Sequence, residues 1–232
     1  MKKNIPALLI ALGIVVLGWF IYSALNNLAY RDRQVQVRGL AEKEVMANKV
    51  TWPLVMKNLG NNLPQLYEQI NTTNAIAIKF LKENGISEDE ISVNEPVVFD
   101  KDAQRYGGND NSPYRYTVTE VITVTSSQVE KVNALIKRQA ELLKQGVALS
   151  NDYEYQTLYE YTGLNDIKPE MIAEATRNAR EAAKKFAEDS ESDLGKIKSA
   201  TQGQFSIEDR DAYTPYIKNV RVVTYITYYV ED

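Results

Sequence analysis

The sequence predicts an α+β fold: an N-terminal transmembrane helix followed by a ββαββαβαββ domain with mostly antiparallel sheet and helices packed on it. Three observations carry this. Ile5 to Leu25 is a run of uncharged, mostly apolar residues led by Lys2 and Lys3. Beyond it, period-2 alternation of apolar and polar residues recurs in short stretches, the mark of half-buried strands. Between those stretches lie segments with helical spacing and recognisable starts and stops.

The apolar run spans about 30 Å at 1.5 Å per residue, the thickness of a bilayer core. Trp19 and Tyr22 lie near its far end, where amphipathic rings favour the interface. A cleaved signal peptide would need a shorter apolar region and a small-x-small site. Here Ala24 follows Tyr22 by two residues and Ala29 follows Asn27. Residues 1–4 are therefore expected in the cytoplasm, 5–25 across the lipid bilayer, 26–33 as a polar linker or helix extension, and 34–232 as the folded domain. Lys2 and Lys3 favour a cytoplasmic start, while Arg31, Arg33, Arg38 and Lys43 follow the span. Long domains translocate largely regardless of such charges. The domain is expected outside the cytoplasm, on the periplasmic or exterior side of the inner membrane.

Within the domain, Val35 and Val37 alternate with Gln36 and Arg38, and Gly39 suggests a bulge. Val50, Trp52, Leu54 and Met56 alternate again, with Pro53 pointing to an edge or bulge. Leu63 to Asn84 has a helical face of Leu63, Leu66, Ile70, Ala77 and Leu81, with Asn62 as cap and Gly85 as stop. Ile91, Val93, Val97 and Phe99 alternate around Pro96. Lys101 to Ser112 is a loop; its Gly107-Gly108 lacks the Gly-Lys-Ser/Thr helix start of a phosphate loop. Tyr114 to Val124 is a strand. Ser127 and Glu130 have capping-box spacing before a helix over 129–143 that Gly146 ends. Tyr153, Tyr155, Tyr159 and Tyr161 share one face of a long strand beginning at Val147. Pro169 opens the third helix. Strands over 197–207 and 216–230 close the domain, the last apolar on both faces and so placed inside the sheet.

The composition restricts chemistry. There is no Cys and no His among 232 residues. Thiol nucleophiles, Cys/His zinc sites and imidazole acid–base catalysis are excluded. Lys2 and Lys3 are the only charges in the first 25 residues, which leaves 25 of the 27 basic and all 31 acidic side chains to the rest. An acidic domain without a basic stripe is not expected to bind nucleic acid. The stretch Glu188 to Asp193 with Gly195 fails the EF-hand pattern, because Ala200 stands where the bidentate Glu belongs. No catalytic residue, cofactor or metal site is expected. Glu120 interrupts an apolar strand face. If buried, its pKa would be raised; otherwise it lies near an exposed edge or pairs with Lys or Arg. The tyrosine face at 153, 155, 159 and 161 is the candidate interface, since interfaces are enriched in Tyr; a sheet face covered by a helix would also account for it.

Three stretches stand out: Val35-Gln-Val-Arg-Gly-Leu-Ala-Glu-Lys-Glu-Val45, the helix with Ala175, Ala179, Ala183 and Ala187 leading to Leu194-Gly-Lys-Ile197, and the closing Val220-Arg-Val-Val-Thr-Tyr-Ile-Thr-Tyr-Tyr-Val230. In order and spacing they resemble the SIMPL-domain family of bacterial envelope proteins. The resemblance spans residues 34–230. It implies an exported or anchored protein, self-association into a large ring or channel-like homo-oligomer, and in some members a link to oxidative-stress tolerance. It carries over no catalytic residue. Many members have a cleaved signal where this chain has a long apolar run. The Ala stripe at four-residue spacing lets its helix approach a sheet or a partner closely.

Overall fold

A computed structural model describes residues 5–30, 33–103 and 112–231, with side chains of the first segment described from Ile10 to Leu25. The Gly107-Gly108 loop, residues 1–4 and residues 31–32 of the expected linker lie outside the described residues. The elements run α1 (Ile5–Tyr30), β1 (Gln34–Met46), β2 (Lys49–Gly60), α2 (Leu63–Glu83), β3 (Ile91–Val93), β4 (Val97–Asp100), β5 (Tyr116–Ser126), α3 (Val129–Arg138), α4 (Ala140–Lys144), β6 (Leu149–Ser150), β7 (Leu158–Glu160), α5 (Leu164–Asp189), β8 (Asp193–Gln202), β9 (Ser206–Asp209) and β10 (Ile217–Glu231). The fold is α+β with antiparallel strand pairs, as the sequence predicts.

The chain forms two compact units that alternate along the sequence. The first comprises 1–43, 165–208 and 219–232, and the second 44–164 and 209–218. The sequence shows one continuous domain, because no Gly- or Pro-rich linker marks the crossings.

In the first unit, α1 continues to Tyr30, so the helix-extension alternative for the linker is the one realised up to that residue. Its described side chains are exposed along the whole apolar stretch, apart from the half-buried Ser23. Among the described residues no helix is long and apolar enough to cross a membrane. The sheet of this unit has the order β1-β10-β8, with β9 also paired to β10. The placement of the last strand inside the sheet is as expected. One face of β10 is buried through Val220, Val222, Thr224, Ile226 and Tyr228, while the other is only partly covered.

Helix α5 lies on this sheet through Ala175, Ala179, Ala183 and Ala187, all buried. Ala179 and Ala183 join Val37, Ile226 and Tyr228 in one core cluster. The small stripe serves close helix-to-sheet approach within the chain. Gly39, inside strand β1, is the reason it can: it brings the strand against the backbone of the helix at Ala175 and Ala179. Pro169 does not open α5. The helix starts at Leu164 and carries Pro169 inside it, so the first-turn preference of Pro misplaces the boundary.

In the second unit, β5 pairs with β2 along their full lengths, from Val50 opposite Ser126 to Gly60 opposite Tyr116. On the other side, among the described residues, β2 meets only β7 at Lys49–Thr51 and β6 at Val55–Met56. Pro53 falls in the gap between these two short partners, so a residue lacking an N–H fits in an otherwise central strand. Trp52, Leu54, Met56, Ile122 and Val124 pack against Ala77, Phe80 and Leu81 of α2 and Val132 and Leu135 of α3. Asn62 caps α2 by accepting from the Gln65 N–H at 3.3 Å. Gly85 and Gly146 end α2 and α4 with φ of 82° and 84°, a left-handed conformation that glycine adopts without strain.

Two expectations fail here. The Ser127–Glu130 box does not form. Instead Ser126 Oγ accepts from the Gln128 N–H at 2.9 Å, and α3 starts without a side-chain cap. The single helix expected over 129–143 is broken at Gln139 into α3 and α4.

Candidate functional site

The four tyrosines do not share a strand face. The expected long strand is divided into β6 and β7 by a turn over 151–157. Asn151 and Asp152 are turn formers. Asp152 fixes the turn by accepting from the Tyr155 N–H through its carbonyl at 3.1 Å, and its carboxylate pairs with Lys57 at 2.8 Å. Tyr153 is 90% exposed on this turn. Tyr155 is half-buried beside Trp52, Pro53, Ile136 and Leu149, in a hollow of about 380 Å³. Tyr161 donates its hydroxyl to the Gly163 carbonyl at 3.0 Å.

Tyr159 is the most engaged of the four. Its hydroxyl donates to Asn133 Oδ1, and its ring meets Tyr216 edge-to-face at 6.1 Å. Burial, with a contribution from Tyr216, pushes its phenol up from the ordinary value. Tyr159 and Tyr216 line an open groove of about 890 Å³ together with Met46, Asn133, Ile136 and Tyr213. Tyr213 stands at its rim, 93% exposed.

The loop that presents Tyr213 and Tyr216 is built by charge and turn chemistry. Asp211 Oδ1 accepts from the backbone N–H groups of Tyr213 and Thr214, both at 2.8 Å. Its other oxygen accepts from the Thr214 hydroxyl and from Arg210 Nε. These donors, the Thr214 hydroxyl first and Arg210 next, hold the Asp211 carboxyl well below the usual carboxylate range. Lys218 closes the base of the loop on Asp209, and the Arg210 N–H donates to the Ile217 carbonyl at 2.9 Å. The Asp-x-x-Thr spacing at 211–214 was the available sequence signal for this turn.

Glu120 does not lie near an exposed edge, and among the described residues it pairs with no cation. It is 1% exposed, on β5 opposite Met56. Asn74 of α2 donates to its Oε1 at 3.2 Å. Glu120 Oε2 and Asn74 Oδ1 are both buried without a hydrogen-bond partner among the described residues. Desolvation raises the Glu120 pKa, opposed by the Asn74 hydrogen bond. A proton on the acid turns one of its oxygens into a donor where the site has an acceptor to spare. Among the described residues, no cluster of three or more Asp or Glu side chains is placed to hold a metal ion.

The second unit therefore presents an aromatic groove and a lone buried acid, on a scaffold of antiparallel strands covered by helices. The class this defines is an α+β scaffold of antiparallel strands and covering helices. A family model described as "SIMPL: Protein of unknown function (DUF541)" matches residues 35–222, and the chain belongs to the SIMPL family. The match covers residues of both units, including the strand at 35–45 and the Ala helix that carry the resemblance, and it ends at 222, near the start of the closing stretch 220–230. A search of curated proteins found no match.

Proposed function

We propose that this chain is a single-pass, membrane-anchored envelope protein whose SIMPL domain is a non-enzymatic, self-associating scaffold. The carrying observation is the sleeve of exposed apolar side chains on α1, from Ile10 through Trp19 and Phe20 to Leu25. Water is a poor solvent for such a sleeve, and lipid is a good one. With Ile5 to Leu9 included, the uncharged segment is about 30 Å long and suits a bilayer core. The domain then lies on the periplasmic or exterior side. Assembly into a large ring or channel-like homo-oligomer, and a role in envelope or oxidative-stress tolerance, follow from the resemblance to other SIMPL proteins.

Alkaline carbonate washing of membranes tests the anchor. The full chain should stay in the pellet, and a Val15→Asp/Leu17→Asp variant should move to the supernatant. A full chain released by carbonate would overturn the anchor. Mass photometry of the detergent-extracted chain tests self-association, and a monomer would overturn it.

A second reading is favoured by the groove around Tyr159, Tyr213 and Tyr216. There the domain would bind a peptide, lipid or envelope protein. Tyr213→Ala should then weaken that complex without changing self-association.

A further inference from the structure

We propose that Glu120, Asn74 and Asn58 together hold one buried water molecule between α2 and the β2–β5 pair, an internal ligand site that ties the helix to both strands. Three polar atoms define it. Glu120 Oε2, Asn74 Oδ1 and Asn58 Nδ2 are each buried without a hydrogen-bond partner among the described residues. Such atoms are rare in folded proteins, because each has given up bulk water and gained no bond in return.

The register brings the three to one place. Met56 stands opposite Glu120, and Asn58 opposite Val118. Side chains of directly opposed residues share a face of the sheet, so Asn58 is the diagonal neighbour of Glu120. Diagonal neighbours lie about 7–8 Å apart, within reach of a long side chain. Helix α2 covers this face. Val118 clusters with Leu66 and Ile70, while Leu54, Met56 and Ile122 cluster with Ala77 and Leu81. Asn74 comes four residues after Ile70 and three before Ala77, about one turn from each. It therefore stands over Glu120, which is 1% exposed, and its Nδ2 donates to Glu120 Oε1 at 3.2 Å. The remaining carboxylate oxygen and the amide oxygen are left over from that bond, with Asn58 beside them on the strands.

The count of donors and acceptors selects the occupant. An ionised Glu120 and the Asn74 amide offer two acceptors, and Asn58 offers one donor. Water donates twice and accepts as well, so a single molecule meets all three, the number of bonds a buried water typically makes. A metal cation takes only oxygens and is opposed by the Asn58 N–H. An ammonium group has no lone pair for that N–H. Protonation of Glu120 keeps the site intact: Oε2 then donates to the water, and the water donates to Asn74.

Water–protein NOE spectroscopy reads the site in the full chain, extracted in detergent and isotopically labelled at asparagine. Water held by three partners stays long enough to pass magnetisation to neighbouring protons, whereas surface water leaves too fast. The side-chain amide protons of Asn58 and Asn74 should both receive it, with the sign of dipolar transfer and not of proton exchange. Those of the exposed Asn71 should not. Glu120→Gln keeps a polar partner for the water and for Asn74, so the transfer should persist. Glu120→Met removes that partner, and transfer to both amides should fall severalfold.

Stability reads the link a second way. Asn58 and Asn74 are coupled if they share one water, and independent if they do not. The denaturant midpoint of the Asn58→Leu/Asn74→Leu double variant should therefore fall by clearly less than the two single shifts combined. Transfer to neither amide, or to only one, overturns the proposal, and so do midpoint shifts that add. Coupling without transfer means that the two amides bond directly, and overturns it as well.

Discussion

Gly39 and Ala175 approach so closely that no side chain fits between them: a Cβ on Gly39 would stand 1.8 Å from the Ala175 carbonyl oxygen and 2.6 Å from the Ala179 backbone nitrogen. Both obstacles are helix backbone, which cannot turn aside as a side chain can. Asn178 Nδ2 holds the same helix to the Leu40 carbonyl at 2.7 Å. Gly39→Ala must push α5 off the sheet. The expected loss is about 3 kcal/mol or more, the upper end for overpacked cores, read as a lower denaturant midpoint.

Glu120 gives a pH-dependent prediction. Its pKa is raised in the folded state, so the folded chain binds its proton more tightly than the unfolded chain. The stability this provides is fully present below the unfolded value and is lost as pH rises through the folded one. Glu120→Gln keeps an acceptor for Asn74 and cannot ionise. The variant should melt higher than the parent at neutral pH, and the gap should close as pH falls. Thermal melts at a series of pH values read this, and a gap that widens towards acid would contradict the assignment.

Asp211 titrates in the opposite sense. Its folded-state pKa is lowered by Thr214 and Arg210. The order it brings to the loop is present above the unfolded value and is lost as pH falls through the folded one. Asp211→Ala leaves the Tyr213 and Thr214 N–H groups without their acceptor. Limited proteolysis should then cut within 209–217 severalfold faster at neutral pH, while cleavage elsewhere stays unchanged.

The tyrosines should separate sharply under mutation. Tyr159→Phe removes the hydrogen bond to Asn133 and should cost about 1 kcal/mol. Tyr153→Ala touches a ring that is 90% exposed and should leave the denaturation curve in place. Equal effects at both positions would mean that the turn over 151–157 is in fact a paired strand.

The long, strongly periodic elements were legible from the residues: β2, α2, β5 and the Ala face of α5. The central place of β10 followed from its apolar character. What failed has physical causes. Period-2 spacing of Tyr153 to Tyr161 survives across a turn, so the pattern alone could not reveal that Asn151 and Asp152 break the strand. Pro169 carries a positional preference that the packing of α5 overrides. The burial of Glu120 depends on Asn74, a residue 46 positions earlier on another element. Tyr213 and Tyr216 join Tyr159 only through long-range folding. The division into two units was invisible because their segments interleave, leaving no linker to find.

That interleaving governs the order in which the protein can be made. Strand β1 emerges early, directly after α1, yet its sheet partner β10 is the last strand of the chain. The second unit can close around β2 and β5 while synthesis continues, but the first cannot complete its sheet until residues 219–231 are available. A ribosome that stalls before Asn219 releases a chain with β1 and β8 unpaired on either side of a missing centre. Loop closure over so long a separation is slow, and unpaired edges favour aggregation. The topology thus delays the first unit: β1 and β8 stay apart until β10 arrives between them and completes the sheet against which α5 rests.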